Sequence, residues 1–105
     1  MSAAPPLSVI VACKNPGPRL PAALASVWEQ RWVKPELIVI DGGSTNGTRE
    51  WLEAQRARLA TLVSEPDGGV YDAMNKGIAA AQGEWVLFLG ADDRLIGEMV
   101  LSEAL

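Results

Sequence analysis

Two adjacent carboxylates, Asp92 and Asp93, stand just past the apolar run WVLFL at 85–89. Side by side they repel each other unless a cation or hydrogen-bond donors offset the repulsion. A divalent metal carrying a diphosphate suits such a pair; the alternative is that one Asp caps the following turn and the other is solvated. Asp41 ends a second apolar run, ELIVID, and precedes two glycines. Glycines let backbone approach a flat ligand while the carboxylate accepts a hydrogen bond from a base N–H or a ribose hydroxyl. A turn-forming Asp without a ligand is the competing reading. Asn75 and Lys76 follow Met74 on a stretch with helical spacing, where a Lys either reaches toward phosphate or sugar or is a solvated surface residue. Tyr71 and the four tryptophans offer stacking surfaces for a sugar, yet Trp51 and Trp85 fit core positions of a helix and a strand, and Trp28 fits a helix face. Trp32 is compatible with either role. Ser44, Thr45, Asn46, Gly47 and Thr48 read as turn and N-cap material.

What the chain lacks narrows the chemistry. It has no histidine and one cysteine, Cys13, so neither an intramolecular disulfide nor a cysteine metal cluster can form. A divalent metal would be held by carboxylates, carbonyls, water or ligand phosphates, which points to Mg²⁺ or Mn²⁺, and acid–base work would fall to Asp or Glu. The formal charge is −4 with nine basic residues scattered along the chain, which leaves no electrostatic footprint for nucleic acid or anionic lipid. With 49% apolar and 21% charged residues over 105 positions, one folded domain spanning the whole chain is expected. No run of apolar residues approaches membrane-spanning length and the N-terminus lacks a signal-like pattern; a cytoplasmic location is expected.

The elements that would position these groups follow from periodicity. LSVIVA at 7–12 is a buried strand bounded by prolines. Leu20, Leu24, Val27 and Trp28 lie at helical spacing, with Pro21 in the first turn and the helix ending before Pro35. A second buried strand covers Glu36–Asp41, and a helix starts near Thr48 with Trp51, Leu52, Gln55 and Leu59 on its inner face. Thr61–Ser64 is a short third strand. Val70, Met74, Ile78 and Ala81 repeat as a third helix closed by Gln82-Gly83. The fourth strand spans 85–89, and another helix begins at Glu98. Strands alternating with helices predict an α/β fold, a parallel sheet with right-handed crossovers and helices on both faces. Ligands in such sheets bind outside the carboxyl ends of the strands. Those ends carry residues 12–15, 41–44, 65–67 and 92–93, so acidic and polar groups collect on one edge. No glycine-rich dinucleotide fingerprint follows the first strand, where Cys13-Lys14-Asn15-Pro16-Gly17 stands, and there is no P-loop. A receiver-like phosphoacceptor would want an acidic pair where Ala12-Cys13 stands.

Four segments in this order, LSVIVACKN, ELIVIDGGSTNGT, SEPDGGVYDAMNKGIAAAQGEW and VLFLGADD, resemble the family 2 glycosyltransferases over residues 7–95. The third segment is similar to members that build O-antigen, capsule or exopolysaccharide in bacteria. The resemblance implies the GT-A fold, a Rossmann-like, mostly parallel sheet flanked by helices, here as the truncated donor-binding half. It implies an inverting transferase using a nucleotide diphosphate sugar, a UDP-sugar being expected, with a saccharide or lipid-linked acceptor. By that resemblance Ala12 and Asn15 border the nucleotide, Asp41 contacts the base, and Asp67 lies near the base or ribose. Asp92 meets the ribose or sugar, and Asp93 holds the metal; Lys76, within the third of these segments, stays a candidate for the nucleotide sugar on its own residue reading. Ala12-Cys13-Lys14 departs from the Thr-Tyr pair that family members commonly carry, and Gly69 stands where close relatives often have Lys. The acceptor-binding elements and the catalytic base of the family have no counterpart in these 105 residues, so the chain alone is expected to bind donor better than it transfers sugar. A homodimer covering an open sheet edge is expected, and in the full-length context a place at the inner face of the membrane. A non-catalytic nucleotide- or protein-binding domain is the alternative.

Overall fold

The computed structural model describes residues 7–31, 34–95 and 97. Seven elements follow one another: β1 (Leu7–Cys13), α1 (Leu20–Trp28), β2 (Glu36–Asp41), α2 (Thr48–Ala54) with a 3-10 turn at Arg56–Arg58, β3 (Thr61–Ser64), α3 (Val70–Ala80) and β4 (Trp85–Phe88). The four strands form one sheet in the order β3-β2-β1-β4, every pair parallel. The α/β class read from the sequence is thus observed, with a wholly parallel sheet among the described residues.

β1 and β2 are nearly continuous apolar runs because both of their faces are covered. Leu7, Val9, Val11 and Cys13 of β1 pack with Leu37 and Val39 of β2 against Leu20, Leu24 and Val27 of α1 and Leu52 of α2. On the opposite face Ile10, Ile38 and Ile40 pack against Ala73 of α3. The split follows from topology. The chain steps one way from β1 to β3 and then reverses to place β4 on the far side of β1, so a constant crossover hand moves α3 to the other face.

Two sequence expectations are corrected. Trp85, assigned to the core, is 63% exposed. It opens an edge strand, and no described element lies beyond it. The stripe Val70, Met74, Ile78 and Ala81 is not the face that α3 buries. Ala73 and Gly77 are buried instead, and Val70 and Ile78 are exposed. A Cβ at Gly77 would lie 2.5 Å from Cγ2 of Ile10, so the helix comes too close to β1 for larger side chains on that line. The second helix ends at Ala54 rather than running on to Leu59: Arg56–Arg58 turn as a 3-10 helix and Leu59 is extended, although it still packs on the core. Other boundaries shift by single residues: β1 reaches Cys13, β4 ends at Phe88, and α3 is capped at Ala81 in extended conformation rather than at Gln82-Gly83. Trp51 is half-buried and packs on the core, as does Trp28. The Trp28 indole donates to the Arg58 carbonyl at 3.1 Å, and the Arg58 guanidinium lies 3.8 Å from its ring centre. Trp32 and the helix expected from Glu98 lie outside the described residues.

Candidate functional site

Side-chain alternation along the strands decides where Asp41 points. In register, Cys13, Asp41 and Ser64 form one row across β1, β2 and β3 at their carboxyl ends, on the face that carries α1 and α2. Asp41 has no solvent-exposed surface. Its carboxylate accepts from the Ser44 hydroxyl, from the Ser44 amide at 3.1 Å, from the Ser64 hydroxyl at 2.8 Å and from the Cys13 thiol at 3.7 Å. Burial works to raise its pKa, but the bonds from Ser44, Ser64 and Cys13 outweigh it and hold the carboxyl below its ordinary value. Burial, and then the neighbouring Asp41 charge, pushes the Cys13 thiol up to about 12. It is therefore a protonated donor and not a nucleophile.

The network continues into the loops. The Ser44 hydroxyl that serves Asp41 also accepts the Asn15 amide at 2.7 Å, and the Asn15 side-chain oxygen accepts the Thr45 amide at 2.7 Å. Asn15 adopts φ 45°, a left-handed conformation that asparagine tolerates better than most residues. Asn46 donates to the Pro16 carbonyl at 3.1 Å. The loops after β1 and β2 are thereby stitched into one wall.

Reversal of strand order between β1 and β4 leaves a crevice at their carboxyl ends, the switch point where doubly wound sheets take ligands. Three adjoining cavities line it. One of about 160 Å³ is bordered by Ala12, Cys13, Lys14, Asp67, Gly69, Val70 and Ala73. The next, about 450 Å³, shares Ala12, Cys13 and Lys14 with it and adds Arg19 and Asp92. A third, also about 450 Å³, shares Arg19 and Asp92 and adds Asp93 and Arg94. Together they make a trench running from Asp67 past Lys14 to Asp92 and Asp93. Gly42 shapes its first end, because a Cβ there would lie 2.8 Å from Oδ2 of Asp67. The two-glycine turn read from the sequence as room for a flat ligand thus admits the Asp67 carboxylate. A separate cavity of about 350 Å³, lined by Pro16, Pro18, Leu20, Pro21 and Trp51 among others, has no titratable side chain in its wall.

Of the sequence-derived site residues, the structure brings Ala12, Asp67, Asp92 and Asp93 to the trench. Asp41 and Asn15 lie behind it as supports. Lys76 is held by Glu65 at 3.1 Å and Asp72 at 3.7 Å, and the Glu65 bond raises its pKa above the usual lysine value. It lines none of the three cavities. Ser44 was read from the sequence as turn material, which its two bonds back to Asp41 match, but not as a support of that carboxylate; Ser64 was read only as a strand end, although strand parity, counted from Asp41, would have paired Ser64 with it. Arg19 carried no signal at all.

Asp92 and Asp93 suit a hard divalent cation in one respect: both are exposed carboxylates on a cavity wall. Among the described residues no group of three or more His, Cys, Asp or Glu converges on one point. A cation there would take its remaining ligands from diphosphate oxygens and water, which is how Mg²⁺ and its relatives are commonly held.

An open parallel α/β domain with a trench of acidic and basic side chains at its switch point is the class these features define. The sequence matches the family described as Glycosyl transferase family 2 over residues 8–103, and the chain belongs to that family. It is 43% identical over 96 residues to a PGL/p-HBAD biosynthesis glycosyltransferase of Mycobacterium bovis, covering 89% of this chain and 38% of the relative. Among solved structures, S. aureus TarS 1-349 in complex with UDP-GlcNAc superposes with a TM-score of 0.80 at 33% identity, over 93% of this chain and 29% of that one. The mannosyltransferase PcManGT from Pyrobaculum calidifontis, in complex with GDP-Man and Mn²⁺, gives 0.81 at 31% identity, over 98% and 32%. The chain therefore spans well under half the length of these relatives.

Proposed function

We propose that this chain binds the nucleotide diphosphate of a sugar donor along the trench. As part of a longer polypeptide it would serve inverting transfer of the sugar to a saccharide or lipid-linked acceptor. The observation that carries this reading is the coincidence of the switch-point crevice between β1 and β4 with the Asp92-Asp93 pair. The nucleotide sugars bound in TarS and PcManGT support it.

On this reading the nucleoside lies toward Asp67 and Ala12, and the diphosphate toward Asp92 and Asp93. Asp41 and Asn15 hold the wall on which the base rests. Asp92 accepts from a ribose or sugar hydroxyl, and Asp93 would hold Mg²⁺ or Mn²⁺. Such an ion, when bound, stabilises the charge that develops on the departing nucleotide diphosphate. The carboxylate that takes the acceptor's proton belongs to the additional length of the relatives. Lys76 contributes by fixing Glu65 at the carboxyl end of β3.

Calorimetric titration of UDP, with Mn²⁺ and then with EDTA, tests this reading. Metal-dependent binding is expected, and Asp93→Ala should abolish the metal dependence. Unchanged affinity in that variant would remove the role given to Asp93. Failure of UDP, GDP and TDP alike to bind in either condition would remove the donor-binding reading.

A further inference from the structure

Three basic side chains line the far part of the trench without an acidic partner among the described residues. Arg19, at the N-cap of α1, borders both of the 450 Å³ cavities, Lys14 one of them and Arg94 the other. Asp92 borders both as well. Of the basic groups elsewhere, Arg56 is engaged by Glu53 at 2.8 Å, Lys76 by Glu65 at 3.1 Å and Arg58 by the Trp28 ring, while Arg49 on α2 has no such partner among the described residues and lines none of these cavities. In a chain of net charge −4, unpaired cations gathered in one crevice mark a place for an anion.

Charge balance says which anion. A divalent cation and the carboxylates of Asp92 and Asp93 cancel one another. The diphosphate of the donor brings two negative charges, and it gains a third when the bond from the anomeric carbon to its oxygen breaks and the electron pair stays on that oxygen. Metal and carboxylates alone leave that charge uncompensated. Lys14, Arg19 and Arg94 match it, and the planar guanidinium fork suits phosphate oxygens.

We propose that Arg19, flanked by Lys14 and Arg94, binds the diphosphate directly, so that part of the affinity for the nucleotide persists without metal. The assignment rests on the donor-binding reading above. Inorganic pyrophosphate is the probe, because it presents the diphosphate without base or sugar.

The parent chain in EDTA should bind pyrophosphate, and Arg19→Gln should weaken that binding by about tenfold. Arg19 is exposed and its side chain makes no cap hydrogen bond, so the variant should fold, which circular dichroism checks. Arg56→Gln removes the same charge far from the trench and should leave pyrophosphate affinity unchanged. Equal affinity of parent and Arg19→Gln overturns the proposal, as does an equal loss in Arg56→Gln. Metal-dependent UDP binding with no pyrophosphate binding in EDTA also overturns it, while leaving the donor reading intact. Arg19-dependent pyrophosphate binding in a chain that binds no nucleotide would keep the basic site and remove the donor reading. Absence of both removes both.

Discussion

At the scale of single residues, the most telling side chain is Asp41. Its type and its place at a strand end were legible in the sequence; its burial was not. Four donors converge on it, and two of them, Ser64 and Cys13, come from neighbouring strands. Asparagine would turn an amide toward those donors, so Asp41→Asn should cost about 1–3 kcal/mol at neutral pH. The sign of its pH dependence follows from the lowered folded pKa. The stabilisation is present in full above the unfolded value, about 3.9, and is lost as pH falls through the lower folded one. Urea unfolding of parent and variant should therefore show a gap at pH 7 that closes in acid. A gap that persists well below pH 3 would mean that packing, not charge, sets the cost. Cys13 belongs to the same row, and its raised pKa predicts slow alkylation by iodoacetamide at pH 8 in the native chain and fast alkylation once it is unfolded.

At the scale of elements, every strand and helix within the described residues was visible in the sequence, because apolar runs and 3.6-residue periodicity are local properties. Which face α3 buries was not. The large residues Val70 and Ile78 dominated its pattern, whereas close approach to Ile10 selects Ala73 and Gly77. Gly77→Ala tests that argument. Helix propensity alone would favour alanine by about 1 kcal/mol. The 2.5 Å contact predicts the opposite sign, a net loss of about 1–3 kcal/mol in denaturant unfolding. A stabilised variant would show that α3 sits farther from β1. Trp85 failed as a core residue for a similar reason, since aromatic and β-branched residues report a strand but not its rank in the sheet.

At the scale of the whole molecule, one flank is conspicuously apolar. Val70 and Ile78 lie on the side of α3 opposite the Lys76–Glu65 pair, which faces β3, so they face β4. There Val86 and Phe88 share the same side of the sheet as Ile10. These four, with Tyr71, expose on the order of 500 Å² of apolar surface, near the upper end of what a monomer carries. Beside them β4 presents an edge with no strand beyond it among the described residues. Two copies joined antiparallel through β4 would pair both edges by one two-fold axis and cover both flanks, approaching the roughly 800 Å² per partner of a standard interface. Light scattering at high concentration should then report a dimer, and Val86→Lys/Phe88→Lys should return a monomer. A monomeric parent would assign this flank to the part of the longer relatives that this chain does not span.

The sequence by itself determined the α/β class, the order of elements, the acidic edge and the family, because each is written in local periodicity or short ordered segments. Only the tertiary structure decided the strand order, and with it the crevice between β1 and β4, the placement of Arg19 beside Asp92 and the exposure of the α3–β4 flank. Those features depend on contacts between residues far apart in the chain, chosen by how whole faces pack, and no local stretch encodes them.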